Sequence, residues 1–99
     1  MNIQLTSVLE AGIAIRTLRK RARIRIDDFA STAGVSKQFM TDLENGKSTV
    51  QMGKVLQLLQ QLGVKVALEL QPTDASAFQL EMKKVKARRA ANSKVGPDA

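Results

Sequence analysis

Residues 34–47 read GVSKQFMTDLENGK. Two glycines, Gly34 and Gly46, bracket a run in which Lys37, Gln38, Thr41, Asp42 and Asn45 are polar while Met40 and Leu43 are apolar. Met40 and Leu43 are three residues apart, which sets both on one face of a helix, and the polar residues fall on the opposite face. Ser36 suits the N-cap of that helix, because its hydroxyl accepts a backbone N–H that has no partner in the first turn. Val35 before the cap and Met40 four residues into the helix have the spacing of a hydrophobic staple. Gly34 suits the left-handed residue that ends a preceding helix. The stretch therefore reads as two helices joined by a tight glycine turn, the second with a polar outer face.

The flanking sequence extends this pattern. Over residues 7–22, SVLEAGIAIRTLRKRA, the side chains Val8, Ala11, Ile15, Leu18 and Ala22 share one face at helical spacing. Residues 26–33, IDDFASTA, give a shorter helix packing through Phe29, Ala30 and Ala33, with Asp27 and Asp28 in its first turn at the positive end. Residues 50–62, VQMGKVLQLLQQL, predict a fourth helix that buries Met52, Val55, Leu56, Leu59 and Leu62 and stops at Gly63. The period then changes to two. Val64, Val66, Leu68 and Leu70 alternate with Lys65, Ala67 and Glu69, a strand pattern closed by Pro72.

A lone strand leaves its backbone groups unpaired. Its simplest partner is the same segment of a second molecule, because an antiparallel pair centred on Ala67 sets Lys65 opposite Glu69 of the partner twice. An extended segment packed on its own helices is the alternative. From residue 73, TDASAFQLEMKKVKARRAA has the pattern of a helix capped by Asp74, with Phe78, Met82 and Val85 on one stripe, and the terminal NSKVGPDA has the composition of a disordered end. The bases Lys83, Lys84, Lys86, Arg88 and Arg89 fit a solvated run, an arm along DNA, or a segment that docks on a partner, and only docking uses the apolar stripe.

Composition narrows the function. A chain of 99 residues holds one small domain and a tail, not two independently stable cores. With no His and no Cys, it lacks the commonest zinc ligands, general bases and thiol nucleophiles, and it has no disulfide framework. Asp27 and Asp28 are adjacent, so on a helix they diverge and do not converge on a substrate. No metal, cofactor or enzymatic activity is expected. No apolar run approaches the ~18 residues of a membrane span and no signal peptide is visible, so a cytoplasmic protein with no membrane partner is expected. Sixteen Lys and Arg against nine Asp and Glu leave a net charge of +7. The excess is spread over residues 1–71, with 10 bases and 6 acids, and residues 72–99, with 6 and 3. A basic chain of this kind fits an anionic partner such as nucleic acid.

Two short helices around a tight turn form a helix-turn-helix arrangement, in which the second helix enters the major groove of DNA. Gln38 has the groups to bond adenine in bidentate fashion, Lys37 can donate to guanine, and Asn45 and Lys47 fall at the end where phosphates pass. Residues 12–62 resemble the Xre/Cro family of helix-turn-helix DNA-binding domains. The residues that carry the resemblance are Gly12, Ile15, Arg16, Leu18 and Arg19, then DDFASTAGVS through the turn, then TDLENGK. It implies an all-α, lambda-repressor-like fold of four to five helices. It also implies base-reading positions at Lys37, Gln38, Thr41 and Asp42, backbone-contacting positions at Ser36, Asn45 and Lys47, and a structural pair between Arg19 and Glu44. The family usually has Gly before its second helix and a Thr-Gln pair opening it. Here Arg23 takes the Gly place and Arg25 and Ile26 the pair; Ile26 cannot anchor a phosphate, which leaves Arg23 and Arg25 to supply charge.

A narrower resemblance covers residues 12–70, where LENGKSTVQMGKVLQLLQQLGVKVALEL is similar to HipB-like antitoxins. It implies a homodimer joined by an intermolecular β-ribbon of residues Val64, Lys65, Val66, Ala67, Leu68, Glu69 and Leu70, a repressor of its own operon, and a HipA-like kinase toxin as partner. The expected organisation is a DNA-binding and dimerisation domain over residues 1–71 and a basic extension, partly helical or disordered, over residues 72–99. The expected target is a two-fold, double-stranded operator. A free-standing Xre-type repressor without a toxin partner is one alternative, and an adaptor that binds only protein or RNA is another.

Overall fold

The computed structural model describes residues 1–94. Among them are five helices, α1 (Val8–Arg21), α2 (Ile26–Ala33), α3 (Lys37–Glu44), α4 (Met52–Gln61) and α5 (Pro72–Lys94). Local chemistry sets their starts. Ser7 caps α1 in a reciprocal box: its hydroxyl accepts from the Glu10 N–H at 3.3 Å, and Glu10 Oε1 accepts from the Ser7 N–H at 2.9 Å. Ser36 caps α3, its Oγ accepting from the Phe39 N–H at 2.9 Å. Pro72 opens α5, a position where its missing N–H costs no helical bond.

The first four helices end alike. The N–H groups of Ile24, Val35, Lys47 and Val64 donate to the carbonyls of Arg19, Ala30, Asp42 and Leu59 at 2.9–3.0 Å. Each bond closes around a residue with positive φ: Arg23 at 59°, Gly34 at 74°, Gly46 at 80° and Gly63 at 76°. This is the Schellman ending, and only Arg23 makes it without glycine. Short, sharply ended helices can fold back on one another over a small core.

The chain divides into two compact units, Met1–Val66 and a second that begins at Ala67. In the first, Ala11 and Ile15 of α1, Phe29, Ala30 and Ala33 of α2, Met40 and Leu43 of α3, and Val55, Leu58 and Leu59 of α4 form the buried core. Ile15, Met40, Leu43 and Leu58 are fully enclosed. At Gly12, α1 and α3 meet backbone to backbone, and a Cβ there would lie 1.9 Å from the Leu43 carbonyl oxygen. Only glycine permits that approach.

Several expectations are corrected. In α4, Leu58 is buried, whereas Met52 and Leu56 are exposed and Leu62 is only partly covered. The run VLQLL admits two overlapping apolar stripes, and the one centred on Val55, Leu58 and Leu59 faces α1 and the core. Ala22 is exposed beyond the end of α1, because the left-handed Arg23 turns the chain away there. Residues 64–70, whose expected strand partner is a second molecule, make no ladder among the described residues of one chain, and Val66, Leu68 and Leu70 are exposed. Among the described residues no other segment offers it a strand edge. The second unit is dominated by α5, which starts two residues before Asp74 and places that acid in its first turn. Of the expected disordered end, residues 92–94 belong to α5 and residues 95–99 lie outside the described residues.

Candidate nucleic-acid interface

The position of α3 is fixed from below. Arg19, in the last turn of α1, donates from Nε to Glu44 Oε2 at 2.9 Å and from Nη2 to Glu44 Oε1 at 2.8 Å. Its Nη1 donates to the Ile24 carbonyl at 2.8 Å, so one guanidinium ties together α1, the turn before α2 and the end of α3. Both side chains are buried, at 7% and 6% exposure for Arg19 and Glu44. Hydrogen bonding to Glu44 holds the Arg19 guanidinium above its ordinary range, against burial, which pulls the other way. Removing one member of such a pair strands a buried charge and costs ~3–5 kcal/mol. Gly12 and this pair set the distance and the tilt of α3.

On that platform, Lys37 and Gln38 are exposed in the first turn of α3, with Ser36 exposed at its cap. Thr41 and Asp42 follow one turn later, both partly covered, and Asn45 and Lys47 are exposed at the far end. Lys37 Nζ lies 3.5 Å from Asp27 Oδ1, an exposed pair of little strength that a ligand can replace. Asp42 has two partners: Gln38 Nε2 donates to its Oδ1 at 2.8 Å, and Lys47 Nζ lies 3.5 Å from its Oδ2.

Thr41 lies at the edge of this face that adjoins α1. With Asn45 it lines a cleft between α3 and α1 whose opposite wall is Arg16 and Lys20 and whose lining also includes Ile26, Arg19 and Glu44. Of the residues expected as base readers, Thr41 borders the cleft, while Gln38 and Asp42 are bonded to each other beside it. Arg23 and Arg25 are exposed at the entry to α2. Arg25 is the N-cap of α2 and gives no side-chain cap bond, so the first turn keeps its free N–H groups beside Asp27 and Asp28.

Three further cations belong to this surface. Arg16, named above only for the family resemblance, and Lys20 stand on the cleft wall; their spacing of four places them on one face of α1. Lys54 of α4 sits over the Phe39 ring, its Nζ 5.4 Å from the centroid. Fifteen residues separate that pair, and no local pattern announces it. Among the described residues, no group of three or more His, Cys, Asp or Glu converges as a metal site would require, and no helix is long and apolar enough to cross a membrane.

Comparison with known proteins agrees with this geometry. A family described as a helix-turn-helix domain matches residues 10–70. An uncharacterized HTH-type transcriptional regulator of Sinorhizobium fredii, y4mF, is 47% identical over 57 residues, which is 58% of this chain and 75% of that protein. The fold is similar to that of HipB in its complex with the O2 20mer, with a TM-score of 0.62 at 16% identity over 71% of this chain and 97% of the other. It is equally similar to a chain of the HipA–HipB–O2–O3 complex, with a TM-score of 0.61 at 16% identity over 70% and 97% of the two chains. The chain belongs to the helix-turn-helix family of DNA-binding transcriptional regulators, which are not enzymes.

Proposed function

We propose that the protein is a cytoplasmic, homodimeric repressor that binds a two-fold operator upstream of its own gene, as the antitoxin of a type II toxin–antitoxin operon. The observation that carries the DNA-binding mode is the capped α3, which presents Lys37 and Gln38 at its N-terminal end on a rigid platform. In the major groove, Lys37 donates to guanine O6 or N7 and Gln38 pairs with adenine. Thr41 reaches either a base edge or the backbone along the cleft wall, with Arg16 and Lys20 beside it. Ser36, Asn45 and Lys47 contact phosphates, as do Arg23 and Arg25 at the entry to α2. Asp27 and Asp28 weaken the pull of the α2 dipole on a phosphate, so the arginines must supply the attraction there.

Dimerisation is supported by apolar side chains that a single chain leaves open. Met52 and Leu56 of α4 and Val66, Leu68 and Leu70 of the segment after it are all exposed. Pairing of residues 64–70 across a two-fold axis completes the missing ladder, and dimers of helix-turn-helix proteins set their recognition helices in successive major grooves ~34 Å apart. The antitoxin role and a HipA-like kinase partner are supported by the likeness of the fold to HipB, which one of the similar structures holds together with HipA. A free-standing repressor is the second reading, supported by the transcriptional regulator that shares 47% identity.

The test is binding to the DNA upstream of the gene against a scrambled duplex of equal length, across a salt series. Specific readout predicts a preference of ~10³-fold or more at physiological salt. Equal affinities that fall together as salt rises would reduce the surface to a general polyanion binder. Co-expression with the product of the adjacent gene separates the two roles: a stable complex supports the antitoxin, and its absence the free-standing repressor.

A further inference from the structure

Two contacts on the outer side of α3 converge on one carboxylate. Gln38 Nε2 donates to Asp42 Oδ1 at 2.8 Å, and Lys47 Nζ approaches Asp42 Oδ2 at 3.5 Å. We propose that Asp42 is not a reader of bases but a positioning residue that fixes the sense of the Gln38 amide, and so makes Gln38 select adenine over guanine. This rests on the reading of α3 as the recognition helix.

A carboxylate has acceptors only, so the amide must turn its NH2 towards Asp42 and its oxygen away. The bond thereby settles which way round a nearly symmetric group lies. Oε1 and the second N–H of Gln38 are left for a ligand. Adenine offers a donor at N6 and an acceptor at N7 in the major groove, which matches one amide oxygen and one amide N–H. Guanine offers acceptors at both O6 and N7, and its O6 would face Oε1 without a hydrogen between them. A glutamine free to turn its amide can adapt to either purine; one held by Asp42 cannot.

The second contact serves the same end. Lys47 faces the other oxygen, so the acid is matched by a base on the side that approaches the phosphates. A cytosine read by Asp42 would be a third partner on a carboxylate whose two oxygens already face Gln38 and Lys47. The Asp42 side chain is only 26% exposed, whereas Gln38 is exposed. Gln38 and Asp42 are one turn apart on the same helix, so the bond survives rigid-body docking without any change of backbone.

The experiment measures binding of the full-length protein to its operator duplex with each base pair varied in turn. Gln38→Ala first identifies the position that Gln38 reads, as the one whose preference disappears. There the wild type is expected to prefer adenine over guanine ~10-fold or more, and Asp42→Asn to prefer it less than ~3-fold, with the other positions unchanged. The asparagine keeps the size of the side chain but can donate as well as accept, so it no longer dictates the sense of the amide. In the Gln38→Ala background, Asp42→Asn is expected to change nothing further at that position. An unchanged purine preference in Asp42→Asn would overturn the proposal, as would loss of a cytosine preference at a separate position. If Gln38→Ala alters no position at all, the reading of α3 as the recognition helix fails as well, which is a distinguishable result.

Discussion

Arg23 shows two demands meeting on one residue. It occupies the left-handed turn that ends α1, at φ 59°, where Gly34, Gly46 and Gly63 serve the other helices. For a residue with a Cβ that conformation costs ~1–2 kcal/mol. Arg23→Gly removes the strain but adds ~0.5–1 kcal/mol of backbone entropy to be lost on folding. Strain relief wins, and the variant is expected to be more stable by ~0.5 kcal/mol, read as a rise in the denaturant midpoint at unchanged slope. If Arg23 contacts a phosphate, the same substitution lowers DNA affinity on cognate and scrambled duplexes alike and reduces the salt slope by ~1. Stability and binding then move in opposite directions. The glycine endings were legible in the sequence because glycine signals a left-handed residue. Arg23 was legible only as a departure from a family pattern, since nothing in an arginine announces positive φ. Gln38 and Asp42 were both singled out, but as separate readers; their spacing of four residues contained the contact, and its sense followed only from the chemistry of a carboxylate.

Among the elements, α1 decides how well α3 is held. At Gly12 their backbones meet, and a Cβ added there would lie 1.9 Å from the Leu43 carbonyl oxygen and 2.8 Å from its carbon. Alanine would favour the isolated helix by ~1 kcal/mol. In the fold it must push α3 away, and overpacking against backbone costs ~3 kcal/mol or more. Gly12→Ala is therefore expected to lose ~2 kcal/mol net in chemical denaturation, and any folded fraction to lose operator preference more than general affinity. The start of α1 carries a pH dependence. Hydrogen bonds from the Thr6 hydroxyl and N–H, then from Ser7, hold the Glu10 carboxyl below its ordinary value of 4.5. A lowered folded-state value means that its contribution is complete above 4.5 and is lost as pH falls through the lowered value. Wild type and Glu10→Gln are therefore expected to differ in stability near neutrality and to converge on acidification below that point. Equal differences at every pH would assign the effect to shape rather than charge. The helices themselves were legible from caps and periodicity. The rotation of α4 was not, because its leucines fit two stripes and only contact with α1 chooses between them.

For the whole molecule, the open question is what covers the apolar side chains beyond α4. Val66, Leu68 and Leu70 are exposed at 46%, 79% and 45%, and the backbone that carries them makes no ladder among the described residues. Hydrophobic alternation could announce a strand, but one chain cannot form the pairing that makes it one. The proposed two-fold ribbon centred on Ala67 has a testable register, since Lys65 of each protomer lies opposite Glu69 of its partner. Lys65→Glu replaces two attractions by two repulsions. At ~0.2–1 kcal/mol for each cross-strand pair, this is expected to weaken the dimer by ~10-fold. Glu69→Lys is expected to do the same. The double variant, Lys65→Glu with Glu69→Lys, restores both attractions in reversed polarity and is expected to return the dimer to near its original strength. Sedimentation across a concentration series reads this directly, and operator affinity should follow the dimer, since one recognition helix holds only half of a two-fold site. Additive losses in the double variant would place these residues out of register. A dimer indifferent to all three variants would move the two-fold contact away from residues 64–70, onto another apolar surface such as the exposed Met52 and Leu56 of α4.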